Sequence, residues 1–169
     1  MEAIEALLTR RAVREFTSQP VTDEQIETIL KAAMHAPSAC NQQPWHFLVV
    51  TERERLNAIT EVHPFAQMLK QAPLSIIVCA DQTLETCPGN WPVDCSAAMQ
   101  NLLLAAHAIG LGGVWVGIYP REERITEIRK LFSLPGYIQP LALAAIGYAK
   151  NPLPVVDRFN PSRIHRETW

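Results

Sequence analysis

The run Leu74-Ser75-Ile76-Ile77-Val78-Cys79-Ala80 has the length of a strand and shows no polar alternation. A strand with one wet face alternates apolar and polar residues, and one that lacks this rhythm needs cover on both faces. The chain must therefore set this segment at the centre of a sheet and supply layers on either side. Val93 to Ile109 offers one such layer. It reads as the longest helix, with Ala97, Ala98, Met99, Leu102, Leu103, Leu104, Ala105 and Ala106 spread nearly all round it. A helix of that kind lies inside the fold or at a subunit interface.

Shorter patterns predict the remaining elements. Residues 2 to 10 read as a helix with Ile4, Leu7 and Leu8 on one side. Thr22 and Gln25 form a capping box for a helix striped by Ile26, Ile29, Leu30, Ala33 and Met34. His46 to Val50 reads as a strand. Thr51 and Glu54 suggest a second capping box, with Leu56 and Ile59 on that helix's inner face. Pro64 to Gln71 predicts a short helix, and Asp81 to Pro92 a loop. Gly110 ends the long helix through a left-handed cap, and a strand entered through Gly112 and Gly113 follows. A helix carrying Ile125, Ile128, Leu131 and Phe132 comes next, and Leu141 to Gly147 makes the last strand. From Asn151 the tail is proline-rich and basic, and it ends at Trp169.

The 169 residues suit one domain spanning 1–169, and a net charge of −2 argues against nucleic acid as a partner. Any anion site is therefore local. Glu2, Glu5, Arg10 and Arg11 near the start do not make a signal peptide, and no apolar run approaches the roughly 20 residues that span a membrane. A cytoplasmic location is the expectation. Cys40, Cys87, Cys79 and Cys95 lack CxxC or CxxH spacing, so free thiols are expected and no metal site.

Two stretches carry candidate chemistry. In Ala36-Pro37-Ser38-Ala39-Cys40-Asn41-Gln42-Gln43-Pro44-Trp45, two prolines stop the helix and present a hydroxyl and three amides on a fixed edge. Such a segment serves as a surface loop or as a ligand edge. Arg10, Arg11 and Arg14 fall within five positions and would suit one phosphate dianion or a solvated charged face. His107 and Asn101 read as hydrogen-bonded residues of the long helix, Trp45 and Phe47 as core, and Trp91 as either a lid or loop packing.

Taken in order, Arg10-Arg11-x-x-Arg14-x-Phe16, Pro37-Ser38-x-x-Asn41-x-Gln43-Pro44-Trp45, the Gln100-Asn101 helix closing on Gly110-Leu111-Gly112, Trp115-Val116-Gly117 and Arg163-Ile164-His165 resemble the short form of the FMN-dependent nitroreductase family. The resemblance spans nearly the whole chain. It implies an α+β fold: a three-layer αβα arrangement with a mostly antiparallel central sheet, in an intertwined homodimer. A C-terminal arm, 151–169, would embrace the partner subunit.

The resemblance also implies FMN as cofactor and NAD(P)H as electron donor. The activity would be ping-pong reduction of nitroaromatics, quinones or other electron-poor acceptors, with no side chain needed as acid or base. Related flavin reactions that it allows are reductive dehalogenation and flavin breakdown, and a flavin-storage protein without turnover is a third possibility. By position, Arg10 resembles a phosphate and ribityl contact, Arg11 another cofactor-contacting position, usually histidine or arginine, and Arg14 a cation at the pyrimidine edge. Ala12 and Ala39 stand where serines are common. Pro37 and Ser38 resemble ring contacts, and Asn41 an amide reaching the other subunit's cofactor. Asp94 falls near the pyrimidine. Trp115, Val116, Gly117 and Ile118 resemble the strand along the ring, with the Gly117 amide as candidate donor to N5. Arg163 matches a C-terminal phosphate arginine, with Arg158 as second choice.

Overall fold

A computed structural model describes residues 1–169. Its elements run α1 (Ala3–Thr9), α2 (Asp23–Met34), β1 (Trp45–Val50), α3 (Arg53–Val62), β2 (Leu74–Asp81), α4 (Trp91–Ala108), β3 (Gly112–Gly117), α5 (Glu122–Phe132) and β4 (Ile138–Gly147). The four strands form one antiparallel sheet in the order β1-β2-β4-β3. The apolar run is β2, buried along almost its whole length between β1 and β4.

Alternation along the central strands divides the core in two. Ile76, Val78, Ala142 and Ala144 face α2 and α4, where Ile29, Met99 and Leu102 are fully buried. Ile77, Cys79, Leu143 and Ala145 face α3 and α5, where Leu56, Ile59 and Ile128 are fully buried. The molecule is thus three layers, helix on sheet on helix, and the expected α+β architecture is present. The buried thiols of Cys79 and Cys95 are each pushed up to about 12 by desolvation, which leaves them inert as nucleophiles.

Local chemistry explains most boundaries. Thr22 and Gln25 exchange both bonds of the expected capping box. The second box does not form. The first turn of α3 opens one residue later than the pattern suggests, with the Glu52 carbonyl accepting from the Leu56 amide and no side-chain cap. Pro64 to Gln71 yields only a short 3-10 turn, Gln67–Lys70. The Asp81 to Pro92 loop holds another, Gln82–Leu84, and α4 begins at Trp91 because Pro92 fits a first turn where no amide hydrogen is needed. Gly110 has φ +87°, as its cap requires.

The predicted apolar side of α1 exists but has no cover in the chain: Ile4 is 67% exposed and Leu8 69%. The segment from Asn151 onward is exposed throughout. No helix is long and apolar enough to cross a membrane.

Candidate functional site

The Pro-rich loop leaves α2 at His35 and reverses tightly, with positive φ at Cys40, Asn41 and Gln43. Side chains hold this unfavourable backbone in place. Asp94, buried in the first turn of α4, accepts the Ala39 amide at 2.9 Å and Gln42 Nε2 at 2.6 Å. A carboxylate there also benefits from the helix N-terminus. Gln42 Oε1 accepts the amides of Thr86 and Cys87, both at 2.9 Å, so one buried amide joins the loop to the segment before α4. Ser38 Oγ accepts the Gln43 amide at 3.0 Å, and Asn41 Oδ1 accepts Gln43 Nε2 at 2.8 Å.

The expectation of four free thiols is corrected here. Cys40 and Cys87 form a disulfide across the same two segments, with Cα atoms 6.3 Å apart and a sequence separation of 47. Spacing gave no sign of it, because the two segments are brought together by tertiary contacts, among them those of Gln42 and Asp94. Trp91 packs inward, edge-on to Tyr119 with centroids 4.8 Å apart, which resolves its two readings towards packing. Asn101 donates to the Ala32 carbonyl and His107 shares a hydrogen bond with Thr9, as expected of helix residues. Trp45 is buried and Phe47 packs against the same core.

Strand β3 is a sheet edge, with β4 on one side only. At its start the Gly113 carbonyl accepts the Val13 amide at 3.1 Å, so Gly113 directs its backbone away from β4. In an antiparallel ladder every second residue points the same way. Trp115 and Gly117 therefore turn their amides to the free edge too. The Gly117 carbonyl is fixed from that side by His63 Nε2 at 2.9 Å and Arg124 Nη1 at 3.0 Å. A Cβ placed on Gly117 would meet only Trp115 Nε1, at 4.0 Å. No other atom of the chain lies within 4 Å of that position, and Trp115 beside it is 37% exposed.

The basic segment runs beside the start of this edge, through the parallel bridge of Ala12 with Gly113. From Gly113 to Gly117 is roughly 13 Å at the usual rise of a strand. Arg10, Arg11, Arg158, Leu8, Val156 and Phe159 border a cleft of about 480 Å³. Partial burial depresses the Arg10 pKa most, and the positive charges of Arg158 and Arg11 lower it further. The ion pairs of the chain involve none of these arginines, nor Arg14 or Arg163. Arg11 donates to the Pro154 carbonyl, and Arg14 is exposed. Arg163 lies in the exposed turn Pro161–Arg163 and is not among the residues bordering the cleft; within one chain Arg158 is the tail cation there.

A cluster of unneutralised guanidinium groups and an edge of unpaired amides over open space suit a ligand with an anionic end and a flat acceptor end. The sequence profile of the Nitroreductase family matches residues 7–82 and 61–148. The chain belongs to the Nitroreductase family. A relative from Methanothermobacter thermautotrophicus, named "Putative NADH dehydrogenase/NAD(P)H nitroreductase", is 51% identical over 170 residues, covering 100% of this chain and 88% of that protein. A solved structure of the same name from Parabacteroides distasonis superposes with a TM-score of 0.94 at 40% identity, over 99% of this chain and 98% of that one. A nitroreductase solved in complex with FMN, from Desulfovibrio desulfuricans, superposes with a TM-score of 0.86 at 29% identity, over 100% and 98% of the two chains.

His63, Arg124 and Cys87 belong to this constellation and had no signal in the sequence, whereas Gln42 was one of the three amides of the Pro-rich stretch. His63 lies 54 residues from the carbonyl it holds, so only the packing of α3 against the sheet brings them together.

Proposed function

We propose that this chain is an FMN-dependent NAD(P)H oxidoreductase that reduces nitroaromatics, quinones or other electron-poor acceptors. The observation that carries the reading is the Gly117 edge, where the face of the strand over the glycine is open and two donors hold its carbonyl. The residues fit FMN. Arg10, Arg11 and Arg158 border one cleft and form no ion pair, so three guanidinium groups against the single Asp157 carboxylate leave an excess of positive charge for a phosphate dianion. Arg163 joins them from the C-terminal arm, and Arg14 faces the pyrimidine edge. Pro37, Ser38 and the backbone from Trp115 to Ile118 line the ring. Ala12 and Ala39 offer no hydroxyl at their positions, so their contribution is through backbone. Asp94 acts by holding the 38–43 loop in shape.

Bound FMN supplies two-electron transfer from a nicotinamide to an acceptor, in two half-reactions at one ring face. The protein binds, orients and shields; solvent supplies protons. Two copies of the chain complete the site, with Asn41 and the 151–169 arm crossing to the partner in the cytoplasm. The uncovered α1 face, together with Val155 at 66%, Phe159 at 74% and Trp169 at 100% exposure, is the apolar surface such an assembly would bury.

The test is direct. Purified protein should be yellow and release FMN on denaturation. Anaerobic mixing with NADH or NADPH should bleach the flavin, and a nitroaromatic should restore its colour. Flavin that neither nucleotide bleaches would identify a storage protein, and a colourless chain that takes up no FMN would refute the proposal.

A further inference from the structure

We infer that His63 and Arg124 are positioning residues that aim the Gly117 amide at the reactive edge of the cofactor, an inference that rests on the flavin reading above. Gly117 ends an edge strand and carries no side chain, so its own torsions are weakly restrained. Its φ lies in the ordinary negative region. On the free side no neighbouring strand fixes the carbonyl, while on the other side the same peptide donates its Ile118 amide to the Leu141 carbonyl at 3.0 Å.

Two side chains replace the missing strand. His63 is fully buried, with Nε2 2.9 Å from the Gly117 carbonyl. A carbonyl only accepts, so Nε2 carries the hydrogen and Nδ1 is the bare nitrogen. Nδ1 accepts the Phe65 amide at 3.3 Å, which selects this tautomer and fixes the ring plane. Arg124, in the first turn of α5, donates Nη1 to the same carbonyl at 3.0 Å and rests its guanidinium 5.1 Å from the centroid of the Phe65 ring. Helix α3, the turn after it and α5 thus converge on one oxygen. The carbonyl and the amide of Gly117 sit in successive peptide planes joined by its φ and ψ, and in a strand both point to the free edge; holding the carbonyl limits ψ and so steadies the amide next to it. His63 and Arg124 do not touch the reacting atoms; they act through the peptide.

The experiment uses protein as purified, labelled with [15N]glycine. The seven glycines give a sparse amide spectrum, in which Gly117 is the resonance lost in Gly117→Ala. His63→Ala should move that resonance and slow flavin bleaching by NADPH about tenfold, as a small misalignment does. Its dissociation constant for FMN should stay close to that of the unaltered protein. His63→Gln, which keeps an N–H able to reach the carbonyl, should restore most of both readouts. Arg124→Gln, at a half-exposed site, should shift the same resonance and slow bleaching less.

A folded His63→Ala protein with an unmoved Gly117 resonance and an unchanged bleaching rate overturns the inference. So does slowing that only tracks lost FMN. If His63→Ala does not fold, an unmoved resonance in Arg124→Gln overturns it equally. A chain that takes up no FMN sinks the function, whereas the Gly117 resonance still reports whether the clamp exists.

Discussion

At the start of β3, a Cβ on Gly112 would stand 2.7 Å from a methyl of Val13; at its end, a Cβ on Gly117 would find nothing nearer than 4.0 Å. The two glycines lie on one edge strand of one sheet. At Gly112 the chain closes over itself, as the N-terminal segment lies against the strand and no room for a side chain remains. At Gly117 the fold leaves room and holds the carbonyl with two donors. A glycine that packing demands and a glycine with free space over it look identical in sequence. They differ in what fills the volume around them.

Substitutions can break or sharpen that contrast. The largest effect is expected at the cationic end of the open edge. Arg10→Ala should weaken FMN binding by about 1.5–3 kcal/mol, roughly ten- to a hundredfold in dissociation constant, by loss of a charge-assisted bond. Fluorescence titration of the flavin-free protein measures it, and an unchanged constant would remove Arg10 from the phosphate site. Next, Gly112→Ala should cost about 1–3 kcal/mol of folding stability through overpacking against Val13. Urea unfolding reads this directly.

Gly117→Ala should do the reverse. The flavin-free chain should keep its stability or gain about 0.5–1 kcal/mol, because an alanine in a strand loses less backbone entropy than glycine. Flavin bleaching should nonetheless slow. Equal losses of stability at both glycines would erase the distinction between the two ends.

The smallest effect concerns pH. Burial above all holds the His63 pKa below its ordinary 6.5, with the charge of Arg124 adding to this against the hydrogen bond to Gly117. Below pH 6.5 the unfolded chain takes up a proton that the folded chain refuses, so stability should decline from there down towards the depressed value. His63→Gln should flatten that part of the profile, measured by urea midpoints between pH 7.5 and 5.5.

Much of the architecture was legible from neighbouring residues. The Leu74 to Ala80 run demanded a covered central strand, and Thr22 with Gln25 marked a helix start that the structure shows bond for bond. Thr51 with Glu54 carried the same signature and misled, because the helix opened one residue later. The cationic candidates were legible as a cluster, yet their grouping was not. Arg158 rather than Arg163 borders the Arg10 cleft within one chain, since the path of an extended tail leaves no periodic trace. Asp94 stood out in sequence as a ligand position and proved to be the anchor of the 38–43 loop.

By itself the sequence determined the layers, because strand and helix periodicity are set by residues within a turn or two of each other. It could not determine that His63 and Arg124 share one carbonyl, that Cys40 meets Cys87, or that the space above Gly117 stays open. Those facts depend on how separately folded layers pack, and packing brings together groups whose distance along the chain carries no information about their distance in space.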